Sequence, residues 1–305
     1  CFNVLANNNT LDCHGYNITY GTAGLSSSLG FDFSSKNMND TFIRSCNINH
    51  GQSIPKINKA GHGISISDNL NKLTIFNNTF LTLSGNSMSS FSFSGNLTNI
   101  NISYSNFTAK TIGTPTADVI FTRGIQFETN VTNISIHNNL IFVNSSTSTN
   151  TQIMSGLAIL GSYSNKVNSA KNIKIYDNNI FVDGINSFGI RMRAEANRYE
   201  IEDINIFSNN FTLGTTETGI KTGINLTKTK NARLWNNIIK SGGIGIAITN
   251  STNVTLTNDS IGCLQGQDCT HILIYNSHDV ISTNLSINKS KVTINPSSNL
   301  TVKWY

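Results

Sequence analysis

The chain of 305 residues reads as an all-β solenoid, short strands stacked coil upon coil about ten deep, in one domain over residues 1–305. Three observations predict it. Asn is counted 47 times while the helix formers Glu, Ala and Leu are sparse. One eight-residue frame recurs nine times, and a second apolar segment, usually opened by Gly, precedes nearly every copy.

The frame starts at residues 41, 73, 100, 134, 173, 204, 232, 254 and 280, as in LTIFNNTF, ISIHNNLI and IKIYDNNI. The steps run from 22 to 39 residues, so loops vary around a constant unit. Position 8 is Ile or Phe in all nine copies and position 3 is Ile or Leu in eight, with Ser282 the exception. Positions 1 and 3 alternate with polar or aromatic positions 2 and 4, the period of a strand with one buried face. The preceding segment reads GISI from 63, GIQF from 124, GLAI from 156, GIRM from 189 and GIAI from 245. Two short strands per repeat with no room for a helix specify a solenoid, and parallel stacking buries a face that no single repeat can bury alone.

The alternation of G-I-x-I with N-x-x-I-x-I-x-x-N-x-F resembles the right-handed parallel β-helix superfamily, which includes pectin-active enzymes, phage tailspikes and NosD-like surface proteins of archaea and bacteria. The opening CFNVLANNNTLDCHGYNITY is similar to the first coils of that last group. This implies a single right-handed parallel β-helix, a fold that hosts lyases, hydrolases, adhesins and scaffolds alike.

In stacked coils, frame positions 5 and 6 become columns about 4.8 Å apart from coil to coil. Position 6 carries Asn78, Asn139, Asn178, Asn209 and Asn237, and amides stacked in this way can bond to one another along a ladder. Both columns are expected to be closed, so that a glycan would not fit on Asn77, Asn258 or Asn284. Position 4 points outward and carries Phe76, His137, Tyr176, Phe207 and Trp235, a ring stripe suited to a covering loop, a protein partner or a glycan.

Catalytic signals are sparse. Gly61-His62-Gly63 is similar to the G-H-G of polygalacturonases, which is preceded by paired acids and followed by R-I-K; here no adjacent acid pair precedes it, and GIRMR with Arg191 and Arg193 lies more than 120 residues on. His62 therefore reads as part of a G-x-G-I strand start. The dense run RMRAEANRYEIED, residues 191 to 203, reads as a solvated loop held by exposed ion pairs; the alternative is a functional cleft in which Arg191 and Arg193 face Glu195, Glu200, Glu202 and Asp203 from a long loop. The expectation is a chain without enzymatic activity; polysaccharide cleavage is the alternative.

Net charge is +5, but Lys and Arg are scattered, which disfavours nucleic acid. No apolar run is long enough to span a membrane. Five Cys without CxxC spacing and six scattered His suggest neither metal nor cofactor. Cys263 and Cys269 bracket LQGQD and can close a short disulfide; Cys1 and Cys13 form a second plausible pair, leaving Cys46 as a small buried residue. Five free thiols are the alternative.

Of eighteen N-x-S/T sequons, Asn17, Asn96, Asn130, Asn144, Asn225 and Asn250 are expected between strands and open to N-glycans. Together these readings suggest an extracellular or cell-surface glycoprotein of an S-layer, adhesin or filament. Neither end reads as an amphipathic helix, so neighbouring domains or like subunits packed head to tail are the expected partners, with surface polysaccharide a further one.

Overall fold

The computed structural model describes residues 2–303 except 4–7, 21–27, 34–37, 52–60, 67–68, 85–87, 113–119, 129, 146–151, 162–168, 195–199, 215–218 and 265. Its strands form three sheets in which neighbours come from successive coils: sheets A and B have eleven strands each and sheet C has nine. Sheet A runs from Phe2–Asn3 to Val292–Ile294, sheet B from Thr10–Asp12 to Leu300–Lys303, and sheet C from Asn17–Tyr20 to Ser260–Cys263. All pairings are parallel, as in Ile102↔Ile136, Ile136↔Ile175 and Ile175↔Ile206. Each return to a sheet is a crossover between parallel strands, which is right-handed in nearly all proteins, and the fold is a right-handed parallel β-helix.

Each full coil carries three strands where two were expected. The frame itself spans the missing boundary: positions 1 to 4 end a sheet B strand, 5 and 6 turn the corner, and 7 and 8 begin sheet C, as in Leu70–Phe76 followed by Thr79–Ser84. With only a few residues after the corner, the third strand shows too little alternation to be read from sequence.

The inward columns are apolar and closed. Frame position 3, from Ile43 and Ile75 through Leu256 to Ser282, is at most 1% exposed, and rings from Phe80, Phe91 and Phe107 fill the lower coils. The glycines opening the sheet A segments also face inward. A Cβ on Gly189 would lie 2.5 Å from the Gly223 carbonyl oxygen and 2.6 Å from the Phe211 ring, so the close approach of successive coils selects Gly there.

Frame position 5 is left-handed in all nine copies, with φ between 50° and 55° from Ser45 to Asn284. Asn and Asp tolerate this region better than other residues with a Cβ, which explains their prevalence at the bend. Position 6 is the closed ladder. Asn139 donates from its backbone and its Nδ2 to Asn178 Oδ1, both at 3.0 Å; Asn178 repeats this to Asn209, and Asn209 to Asn237. Each Nδ2 also reaches backbone carbonyls, such as Ile136 O and Tyr176 O from Asn178 at 2.9 Å. A second corner uses the same device with hydroxyls: Thr229 N donates to Ser251 Oγ, Ser251 N to Ser277 Oγ and Ser277 N to Ser298 Oγ, each at 3.1 Å.

One disulfide joins Cys13 to Cys46, not Cys1 to Cys13. The two residues lie at the same corner of adjacent coils, with Cα atoms 4.8 Å apart, the spacing that stacking imposes. Cys46 N donates to Asn78 Oδ1, so this bond continues the Asn ladder downward. The other joins Cys263 to Cys269; Cys1 lies outside the described residues.

Candidate functional site

The outer face of sheet B carries three parallel tracks. The first lies near the strand starts and consists of left-handed residues, among them Asn99, Asn133, Asn172, Asp203, Asn231 and Asn253. Asn133 donates to Asn99, Asn172 to Asn133, Asn231 to Asp203 and Asn253 to Asn231, at 2.7 to 3.1 Å. This exposed amide ladder was missed in the sequence, although the Asn or Asp immediately before eight of the nine frames, with Lys72 the exception, was its signal. The second track is frame position 2, where Asn205, Arg233 and Thr255 are in register.

The third track is the ring stripe. His137 lies 4.6 Å from Tyr176, Tyr176 4.8 Å from Phe207 and Phe207 4.2 Å from Trp235, all within 6° of parallel. In the coil where position 4 is the buried Ser103, position 5 contributes Tyr104, edge-on to both Phe76 and His137. From His137 to Trp235 the rings face one another along the helix axis and turn their edges outward, whereas Phe76 and Tyr104 are not face-stacked and stay exposed. This changes the expectation of an open aromatic stripe: inside the stack no ring face is free for a sugar or partner. The upper face of Trp235 is different, because the next residue in its column is the small Thr257. Beside it lies a cleft of about 480 Å³ lined by Asp203, Asn205, Asn231, Arg233, Asn253 and Thr255.

The weak catalytic candidates stay apart. His62 and Arg191 sit on sheet A strands Gly61–Ile66 and Asn186–Arg193, four coils distant, or roughly 19 Å along the axis. His62 shares a column with Ser89 and Arg123, and burial lowers its pKa while Arg123 adds to the effect. Arg123 pairs with Glu128 at 3.4 Å, and Gln126 also donates to that carboxylate. Arg191 lies over the Phe188 ring at 5.1 Å and is buried, whereas Arg193 is exposed.

The expected loop from 191 to 203 is largely strand, since Arg191–Arg193 ends one strand and Glu200–Asp203 begins Glu200–Phe207. Glu200 pairs with Lys230 at 3.5 Å and Glu202 with Lys171; Glu195 lies outside the described residues. Asp12 with Arg44 and Asp40 with Lys72 follow the same rule, an acid on one coil and a base on the next. The Arg44 pair stands at 2.6 Å, and the Asp12 carboxylate is held below its usual pKa mainly by the His14 backbone N–H.

Asn96 and Asn250 lie at corners, Asn96 and Asn17 are exposed, and Asn130 is half-buried with its Nδ2 on Asn96 Oδ1. Asn17, Asn144 and Asn225 lie inside strands, not between them. Asn77, Asn258 and Asn284, expected to be closed to glycans, are exposed at the left-handed position; only position 6 is closed.

Cys263, Cys269 and His271 place their ligand atoms within 4.8 Å of one another. The bonded sulfurs are not thiolates, and Asn288 N–H donates to His271 Nδ1 at 3.0 Å. That bond leaves the proton of the neutral ring on Nε2, the nitrogen facing sulfur, so the arrangement does not suit a cation. Among the described residues no helix is long and apolar enough to cross a membrane.

No protein-family model matches the chain, and no curated protein sequence matches it. Among solved structures it is similar to tailspike protein 3 of bacteriophage CBA120, at 10% identity and a TM-score of 0.37 over 94% of this chain; it spans 49% of the tailspike. It is also similar to the A-module of the mannuronan C-5 epimerase AlgE4 of Azotobacter vinelandii, at 8% identity and a TM-score of 0.22, covering 93% of this chain and 90% of the module.

Proposed function

We propose that the protein is an exported, non-catalytic β-helical scaffold of a cell surface or filament. The observation that carries this reading is how the outward charges are used. Glu200, Glu202, Asp12 and Asp40 each pair with a base on a neighbouring coil, so these outward acids link coil to coil along the rod. Two disulfides fit an oxidising compartment. Exposed sequons such as Asn17, Asn96 and Asn250 offer sites for N-glycans, and contact with like subunits or neighbouring domains is the mode of action. The test is incubation of the purified protein with neutral and uronate polysaccharides, with sedimentation velocity run alongside. Concentration-dependent assembly without chain cleavage supports the scaffold; steady release of new reducing ends or unsaturated sugars overturns it.

A second reading, polysaccharide binding, is favoured by the cleft beside Trp235, where planar amides and Arg233 flank the end of the ring stack. Trp235→Ala combined with Arg233→Ala should abolish retention on a polysaccharide that holds the wild-type chain. Equal retention of both proteins removes this reading.

A further inference from the structure

We propose that Cys263–Cys269 is an exchangeable disulfide, a site at which low-molecular-weight thiols and disulfides react through Cys263, with the His271 imidazole N–H holding the Cys263 thiolate. The placement is the first argument. Strand Ser260–Cys263 is the last of sheet C, and among the described residues its outer edge is bridged at Ser286, with Ile261 N–H donating to Ser286 O at 3.0 Å. Cys263 is half-buried there, while Cys269 is buried at 5% exposure, so an incoming thiol meets Cys263 first.

The second argument is the imidazole. His271 Nε2 lies 3.6 Å from Cys263 Sγ. Its Nδ1 is occupied by the Asn288 backbone N–H at 3.0 Å, so the donor proton of the neutral ring points at the sulfur. Burial, with Lys291 nearby, keeps this ring neutral by lowering its pKa. Lys291 is itself paired with Asp268 inside the CLQGQDC loop. A hydrogen-bond donor aimed at the sulfur stabilises a thiolate over a thiol.

The exchange balances as follows. A thiolate RS⁻ attacks Cys263 Sγ, the Cys263–Cys269 bond breaks, and Cys269 leaves as a thiolate that takes a proton from solvent. A second RS⁻ attacks the R sulfur of the mixed disulfide, releasing RSSR and the Cys263 thiolate, which accepts the His271 N–H. In reverse, that thiolate attacks an external disulfide and Cys269 closes the ring, releasing two thiols.

Glutathione buffers of graded ratio, read by peptide mapping of the full chain, test this directly. The mixed disulfide is expected on Cys263, and Cys13–Cys46, with both residues buried, should stay closed at ratios that open Cys263–Cys269. In the reduced loop, iodoacetamide at pH 7 should alkylate Cys263 about 5 to 10 times faster than in His271→Phe, with His271→Gln, which keeps a donor, recovering part of the rate. Wild type alone also decides: Cys263 should react faster in the native protein than in urea. Adducts on Cys269, opening of Cys13–Cys46 first, or a Cys263 rate indifferent to both His271 and unfolding would each overturn the proposal.

Discussion

Asp259 occupies the top of the inner ladder, below which five coils carry Asn and three carry Cys13, Cys46 and Ser105. It accepts from Asn237 N and Nδ2 through Oδ1, both at 2.8 Å, but its Oδ2 is buried without a hydrogen-bond partner because the residue above is Leu285. Burial therefore pushes the carboxyl up to about 6 from its ordinary 3.8. The folded chain binds this proton more tightly than the unfolded one, so the neutral acid's contribution is complete below pH 3.8 and is lost as pH rises through about 6. Asp259→Asn should flatten that fall and raise stability at pH 7 by roughly 3 kcal/mol, from about two pKa units at 1.36 kcal/mol each; urea melts at pH 4 and 7 measure it. At the left-handed corner, Ser208 stands where most copies have Asn or Asp, and Ser208→Asn should gain about 1 kcal/mol in the same melts. The repetition of Asn pairs made the corner legible in the sequence. Which Asn was closed was not, because both columns look alike until the bend turns position 5 outward and position 6 inward.

At the scale of elements, the buried alternation of sheet B was legible, and Ile175→Ala should cost about 2 to 5 kcal/mol because its site is closed by neighbouring coils. The disulfide pairing was not legible, since spacing in the chain hides which cysteines share a column. Cys13–Cys46 closes a span of 33 residues, so Cys13→Ala with Cys46→Ala should lower stability by about 3 to 4 kcal/mol, a larger loss than opening the six-residue span of Cys263–Cys269. Calorimetry of this variant and of Cys263→Ala with Cys269→Ala compares them. The ring stack shows the limit of face assignment: position 4 does point outward, but a 4.2 to 4.8 Å stacking distance makes the rings partners of one another. Outward direction alone does not make a ring available.

Over the whole molecule, eleven strands in sheets A and B give a stacked core of roughly 50 Å. Backbone ladders, two inner side-chain columns, an outer amide track and ion pairs between coils all act along that one axis and hold each coil to the next. Fold class was written in the repeat; function was not, because the features that repeat are those that hold coils together. Electron microscopy of the native material decides whether the proposed contact and assembly occur: rods joined into filaments or an ordered array are expected, and a uniform field of separate monomers would rule assembly out.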